Sequence, residues 1–127
     1  LPMFIVTQKP TFIAPVVASI PADGGKFTKA KFSVVFKALE KDAVDDLLKR
    51  IRQSAKAAHE DADATPLKDR EVLDEVLAGF GPDLLEEDRT PMEFCPGNVD
   101  RLCSIYPLEA AMVRSFFDNY VSGPAKN

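Results

Sequence analysis

The hydrophobic period changes once along this chain, at Lys41, and that switch limits the folds open to it. Upstream, Ala30, Phe32, Val34, Phe36 and Ala38 alternate with Lys29, Lys31, Ser33, Val35 and Lys37, the period of two that gives a strand one apolar and one mostly solvated face. Another apolar run, from Thr11, precedes it. The two are split by "PADGG", where Asp23, Gly24 and Gly25 supply the positive backbone dihedrals of a turn. The spacing predicts a hairpin over about 11–39. Pro15 has no N–H to give to a ladder, so the first strand is predicted to be an edge or to carry a bulge. An edge is able to accept a partner strand, while the lysines on the facing strand serve equally as ordinary protection against aggregation.

From Lys41 to about Ala58 the spacing is helical, with Val44, Leu47, Leu48, Ile51, Ala55 and Ala58 on one stripe. Asp42, Asp45 and Asp46 fall early and Lys49, Arg50, Arg52 and Lys56 late, the order that the helix dipole favours. Thr65 and Pro66 mark a second start, for a helix running to about Leu77 that "GFGP" stops. Pro96 opens a short helix through Val99 and Leu102. Pro107 opens a longer one to about Tyr120, ended by Gly123 and Pro124. On that last helix Leu108, Ala111, Met112, Ser115 and Asn119 form one line and Val113, Phe116, Phe117 and Tyr120 another. A helix so widely apolar is buried on two sides or covered by a partner on one of them, and in a chain this small partial exposure is the expectation. The fold class that follows is α+β: an N-terminal antiparallel β-hairpin or small sheet followed by a compact bundle of three to four helices. Residues 1–127 are expected to form a single domain, with the helical part over about 41–122. Met3 is one candidate for the natural start, Leu1 and Pro2 then being vector-derived.

Chemistry is scarce in this sequence. The 127 residues carry a net charge of −4, which repels phosphate backbones, so nucleic acid is not an expected partner. "KRIRQSAKAA" places its cations on the outer face of an ordinary amphipathic helix, not on a recognition helix. No apolar run is long enough for a bilayer span, and the chain is expected to be soluble and intracellular, away from membranes. Cys95 and Cys103 are expected to stay reduced, and a catalytic thiol would have only His59 as its base. His59 itself lies among Glu60, Asp61 and Asp63, too few ligand types for zinc. "DADATP" resembles the start of a calcium loop, but Pro66 replaces the turn glycine and Val72 stands where a bidentate glutamate belongs. No enzyme, metal or cofactor is expected. In "FGPDLLEEDRTPMEFCPGNVDRL" the acids Asp83, Glu86, Glu87 and Asp88 are bracketed by Leu84, Leu85, Met92 and Phe94, the pattern of a structured connector that folds back on the core and positions the next helix.

Taken in order, "PADGGKFTKAKFSVVFKAL", "DREVLDEVLAGFG", "EEDRTPMEF", "CPGNVDRL" and "AAMVRSFFDNYVSGPAKN" resemble the tail assembly chaperones of long-tailed bacteriophages and prophages, over most of residues 4–127. Three positions depart from the pattern: Phe80 stands for a tryptophan, Arg89 for a turn glycine and Cys95 for a capping serine or threonine. Arg89 argues against a tight positive-dihedral turn there, and Cys95 predicts a weak helix start. The resemblance implies a non-enzymatic protein of the host bacterial cytoplasm, absent from the mature virion. It would bind the phage tape measure protein, keep it soluble and help the tail tube protein polymerise around it. The alternative is a structural minor tail or tail-completion protein of the virion. Self-association through the strand edge or the last helix is equally open. The client surface is expected at Val113, Phe116, Phe117 and Tyr120, with Phe80 and Phe94 as secondary candidates. Phe116, between the two stripes, doubles as a packing residue, and Tyr120→Asp is expected to weaken client binding with little loss of folding.

Overall fold

The computed structural model describes residues 3–6, 9–61, 63 and 66–121. Strands β1 (Thr11–Ala22) and β2 (Lys26–Lys37) form the antiparallel hairpin, with Phe12 opposite Phe36 and Val16 opposite Phe32. Gly24 and Gly25, at φ of 76° and 75°, make the reversal between them. The 20-residue helix α1 (Lys41–Glu60) follows, then α2 (Asp69–Val76), strand β3 (Leu77–Phe80), α3 (Pro96–Cys103) and α4 (Leu108–Phe116). Phe117–Val121 continues α4 as a single wide π-helical turn. Three antiparallel strands in the order β1-β2-β3 with four α-helices make the α+β fold that the sequence predicts.

Alternation on the strands becomes burial. Ala14, Val16 and Ala18 of β1 and Phe32, Val34 and Phe36 of β2 face the core, where α4 brings Leu108, Ala111, Met112 and Phe116 and α2 brings Val72, Leu73 and Val76. α4 is thus covered by the sheet on one side and by α2 on another, which accounts for its width of apolar surface. α1 is held differently: among its residues only Leu47 is fully buried.

Pro15 lies on the edge strand, as its missing N–H requires. Its partner Ser33 spends both backbone groups on the far side, the carbonyl accepting from Gly81 N–H at 2.8 Å and the N–H donating to the Asp83 carboxylate at 2.8 Å. Pro15 and Ser33 therefore form a non-hydrogen-bonded pair, and no ladder bond is lost. The Pro15 carbonyl instead accepts the Ser115 hydroxyl of α4 at 2.6 Å. β1 is the edge strand that the sequence predicts, and at Pro15 its outward carbonyl is taken by α4.

The predicted second helix is also corrected. It starts at Asp69, not Pro66, because the Lys68 N–H is taken by the Glu71 carboxylate at 3.1 Å and Glu71 N–H donates back to the Lys68 carbonyl at 3.0 Å. It ends at Val76, and Leu77–Phe80 leave it to pair with β2. Thr65, the predicted cap, lies outside the described residues, as do Leu1, Pro2, Gly123 and Pro124.

The connector after β3 is a small folded unit, with Leu84 buried beneath it. Met92 N–H donates to the Leu84 carbonyl at 2.9 Å and Glu86 N–H to that of Thr90 at 2.8 Å. Arg89 takes the positive φ of 69° that its side chain argued against. The Asp88 carboxylate, accepting from both the Thr90 amide and hydroxyl, and the Arg89 N–H to Glu86 carbonyl bond at 2.9 Å hold the turn, and together they outweigh a left-handed cost of about 1–2 kcal/mol. Cys95 gives α3 no side-chain cap, as expected; Asn98 braces that end by donating to the Glu93 carbonyl at 2.7 Å.

Acid should weaken these ties. Arg101 grips Glu86 at 2.8 and 3.0 Å and holds its carboxyl below the ordinary range, Arg50 does the same for Glu75, and Thr90 does so for Asp88. Each group stays ionised in the folded chain at a pH where the unfolded chain has taken up a proton. Their stabilisation is whole above the ordinary carboxylate range and disappears as pH falls through the native values. The melting temperature is expected to drop below about pH 4.5, modestly because all three groups are well solvated. Thermal unfolding between pH 3 and 7 checks this, with Glu86→Gln giving a shallower fall.

Candidate functional site

A groove runs beside α4 because three helices meet there without closing. Val113 of α4 and Phe117 of the π turn form its floor, α1 supplies Ile51 and Ala55, and Leu67 and Val72 line the α2 side. The cavity holds about 260 Å³, on the scale of one or two apolar side chains. Two polar contacts fix its walls. Arg50 of α1 forms a bidentate pair with Glu75 of α2, at 2.6 and 2.7 Å, and the Ser54 hydroxyl accepts the Leu67 N–H. Arg50 and Glu75 both remain partly solvated, so this clamp orients α1 without adding much stability. With only Leu47 fully buried, α1 is the wall least anchored in the core.

The predicted site residues divide. Val113 and Phe117, both half-buried, share the groove. Phe116 is fully buried, in edge contact with Phe36 at 5.3 Å. Tyr120 is half-buried and turned the same way: its ring stacks on Phe12 at 4.8 Å and its hydroxyl donates to the Leu39 carbonyl at 2.5 Å. Tyr120 thereby ties α4 to the link between β2 and α1, so Tyr120→Asp would disturb packing as well as any client contact. Phe80 and Phe94 meet edge-on at 5.0 Å, around a separate cavity of about 240 Å³ that Phe94 lines with Leu73, Leu77 and Val99. Phe94 is 42% exposed. Ile51 and Leu67 escaped sequence reasoning about the site, although the stripe on α1 carried Ile51 as a core position.

Burial pushes the Cys103 thiol up to about 11, away from the thiolate. Cys95 and Cys103 are both free. Among the described residues no three His, Cys, Asp or Glu side chains stand together as a metal site, and no helix is long and apolar enough to cross a membrane. What the groove offers is contact with apolar side chains.

Comparison with known proteins agrees with the sequence resemblance. No curated protein and no solved structure matches the chain. A family model described as "Phage tail assembly chaperone" matches residues 2–127, which include the hairpin, the connector and all four helices. The chain belongs to the phage tail assembly chaperone family.

Proposed function

We propose that this chain is a non-enzymatic chaperone that binds the phage tape measure protein in the α1–α2–α4 groove. It keeps that long helical polypeptide soluble in the host cytoplasm while the tail tube protein polymerises around it, and it leaves before the virion is complete. The observation that carries this reading is the open apolar groove along α4 in a chain of this family. An amphipathic client helix would set successive apolar side chains on Val113 and Phe117, while α1 moves to admit it. Phe94 and Phe80 offer a second, smaller contact.

Co-expression with the tape measure protein of the same phage, followed by pull-down, tests the proposal. Ala55→Glu puts a charge on the exposed wall of the groove without touching the core. It is expected to weaken capture about tenfold or more, since the new carboxylate would be desolvated without a partner, and to leave the melting temperature unchanged. Equal capture by wild type and variant would rule the groove out as the client site. Recovery of the chain in purified virions would favour a structural tail component instead.

A further inference from the structure

The hairpin is longer than the core requires. Beyond Ile20 and Ala30, every residue from Pro21 to Lys29 is exposed, on both faces of the ribbon. At about 3.3 Å per residue the two pairs beyond Ile20 and the turn leave an arm of roughly 10 Å standing off the body. Near its tip Phe27, opposite Pro21, is 67% exposed and is flanked by Lys26 and Lys29, with Lys31 further down the strand. A two-stranded ribbon gains little on its own, and an aromatic ring held in water at its end adds nothing to the fold.

Charge is divided along the same line. Residues 1–39 carry five lysines against one acid, Asp23, whereas residues 40–127 carry nineteen acids against eleven lysines and arginines. Two basic arms repel each other. The complement lies on the same chain: the α1–α2–α4 groove is mostly apolar with Asp69 in its lining, and the part of the chain that builds it carries the excess of acids. The groove's 260 Å³ has room for a phenyl ring.

We propose that the hairpin arm of one copy docks Phe27 into the α1–α2–α4 groove of a second copy, with its lysines toward the acid-rich helical part of that copy. Arm and groove are different surfaces, so the contact is heterologous: two copies close on each other by reciprocal exchange, or further copies add head to tail. The inference stands apart from the identity of the client. Where both hold, self-docking and client capture exclude each other, and the arm guards the groove until the client arrives.

The test uses this chain alone, by light scattering and sedimentation at about 100–500 μM, where so small an interface should register. Wild type is expected to exceed the 13.9 kDa of one chain at about 50 mM salt and to dissociate toward it at about 500 mM, as screening shortens the reach of the lysines. Phe27→Asp should weaken association about thirtyfold, the effect of a central aromatic anchor. Lys26→Glu with Lys29→Glu should abolish the salt dependence, and Ala55→Glu should block the groove. Phe27→Asp retains a groove and Ala55→Glu retains an arm, so mixing these two monomeric variants should restore a 1:1 dimer. Wild type that is monomeric at every salt concentration overturns the proposal. So does association that survives Phe27→Asp, or a mixture of the two variants that fails to pair.

Discussion

Replacing Phe116 with alanine is expected to remove about 3–5 kcal/mol of stability, the cost of opening a cavity at a packed aromatic. The ring has no exposed surface. It lies 5.3 Å from Phe36 and from Phe117, 5.6 Å from Tyr120 and 6.3 Å from Phe12, so it joins the hairpin, α4 and the π turn in one aromatic cluster. The neighbours cannot collapse into the space easily. Phe36 is fixed in the central strand, and Tyr120 is tethered by its stack on Phe12 and its bond to Leu39. Urea unfolding is the measurement, and the midpoint should fall with little change in slope. Phe116→Leu, which keeps most of the volume, should recover more than half of the loss. A cost under about 1 kcal/mol would mean that the cluster does not hold α4 to the sheet, and the partition of α4 into a core face and a groove face would fall with it.

That partition marks how far the sequence could be read. The hairpin was legible because alternation over β2 and two glycines at the turn point the same way, and both signals are local. Helix α1 was legible from its stripe, but its shallow burial was not: nothing in the spacing of Val44, Leu48 and Ile51 says that only Leu47 would be fully buried. On α4 the two apolar lines were visible. Their assignment was not, since Phe116 and Tyr120 turn toward Phe12 and Phe36, which lie some eighty residues or more earlier, while Val113 and Phe117 turn toward α1 and α2. A choice between faces made by distant partners leaves no trace in a local period.

Strand β3 was missed for a related reason. The sequence reads as a helix running to about Leu77, with "GFGP" as its stop, because glycine and proline mark a turn. The close approach comes at Gly81, which leaves no room for a side chain against Ser33, whereas a side chain at Gly79 would meet Val35 at ordinary contact distance. The Phe80–Gly81 step is therefore a backbone device in this chain. It exchanges helix for strand at the one place where the chain must cross from the α2 layer to the sheet edge.

Gly81→Ala is accordingly expected to cost about 1–3 kcal/mol, the range for forcing extra volume into a closed space. A methyl group there would sit 2.7 Å from Ser33 Cβ and 2.8 Å from the Ser33 carbonyl oxygen, and neither can give way. Ser33 is on the central strand, hydrogen-bonded to Gly81 N–H at 2.8 Å and held by both oxygens of Asp83, at 2.8 and 3.1 Å. Relief requires β3 to lift from β2, which would carry Asp83 off Ser33 and loosen the connector that places α3. The Phe80–Phe94 contact should move with it, although both rings lie outside the substituted position. Gly97→Ala is the matched control: nothing lies within 4 Å of the added carbon, and the site is in the first turn of α3, so that change should be neutral or stabilising by about 0.4–1 kcal/mol. Paired thermal and urea unfolding of the two variants separates close backbone approach from the general effect of losing a glycine. Equal stability of both with wild type would mean that β3 does not rest on β2 at Ser33, and that the acidic connector is positioned by Glu86 and Arg101 alone.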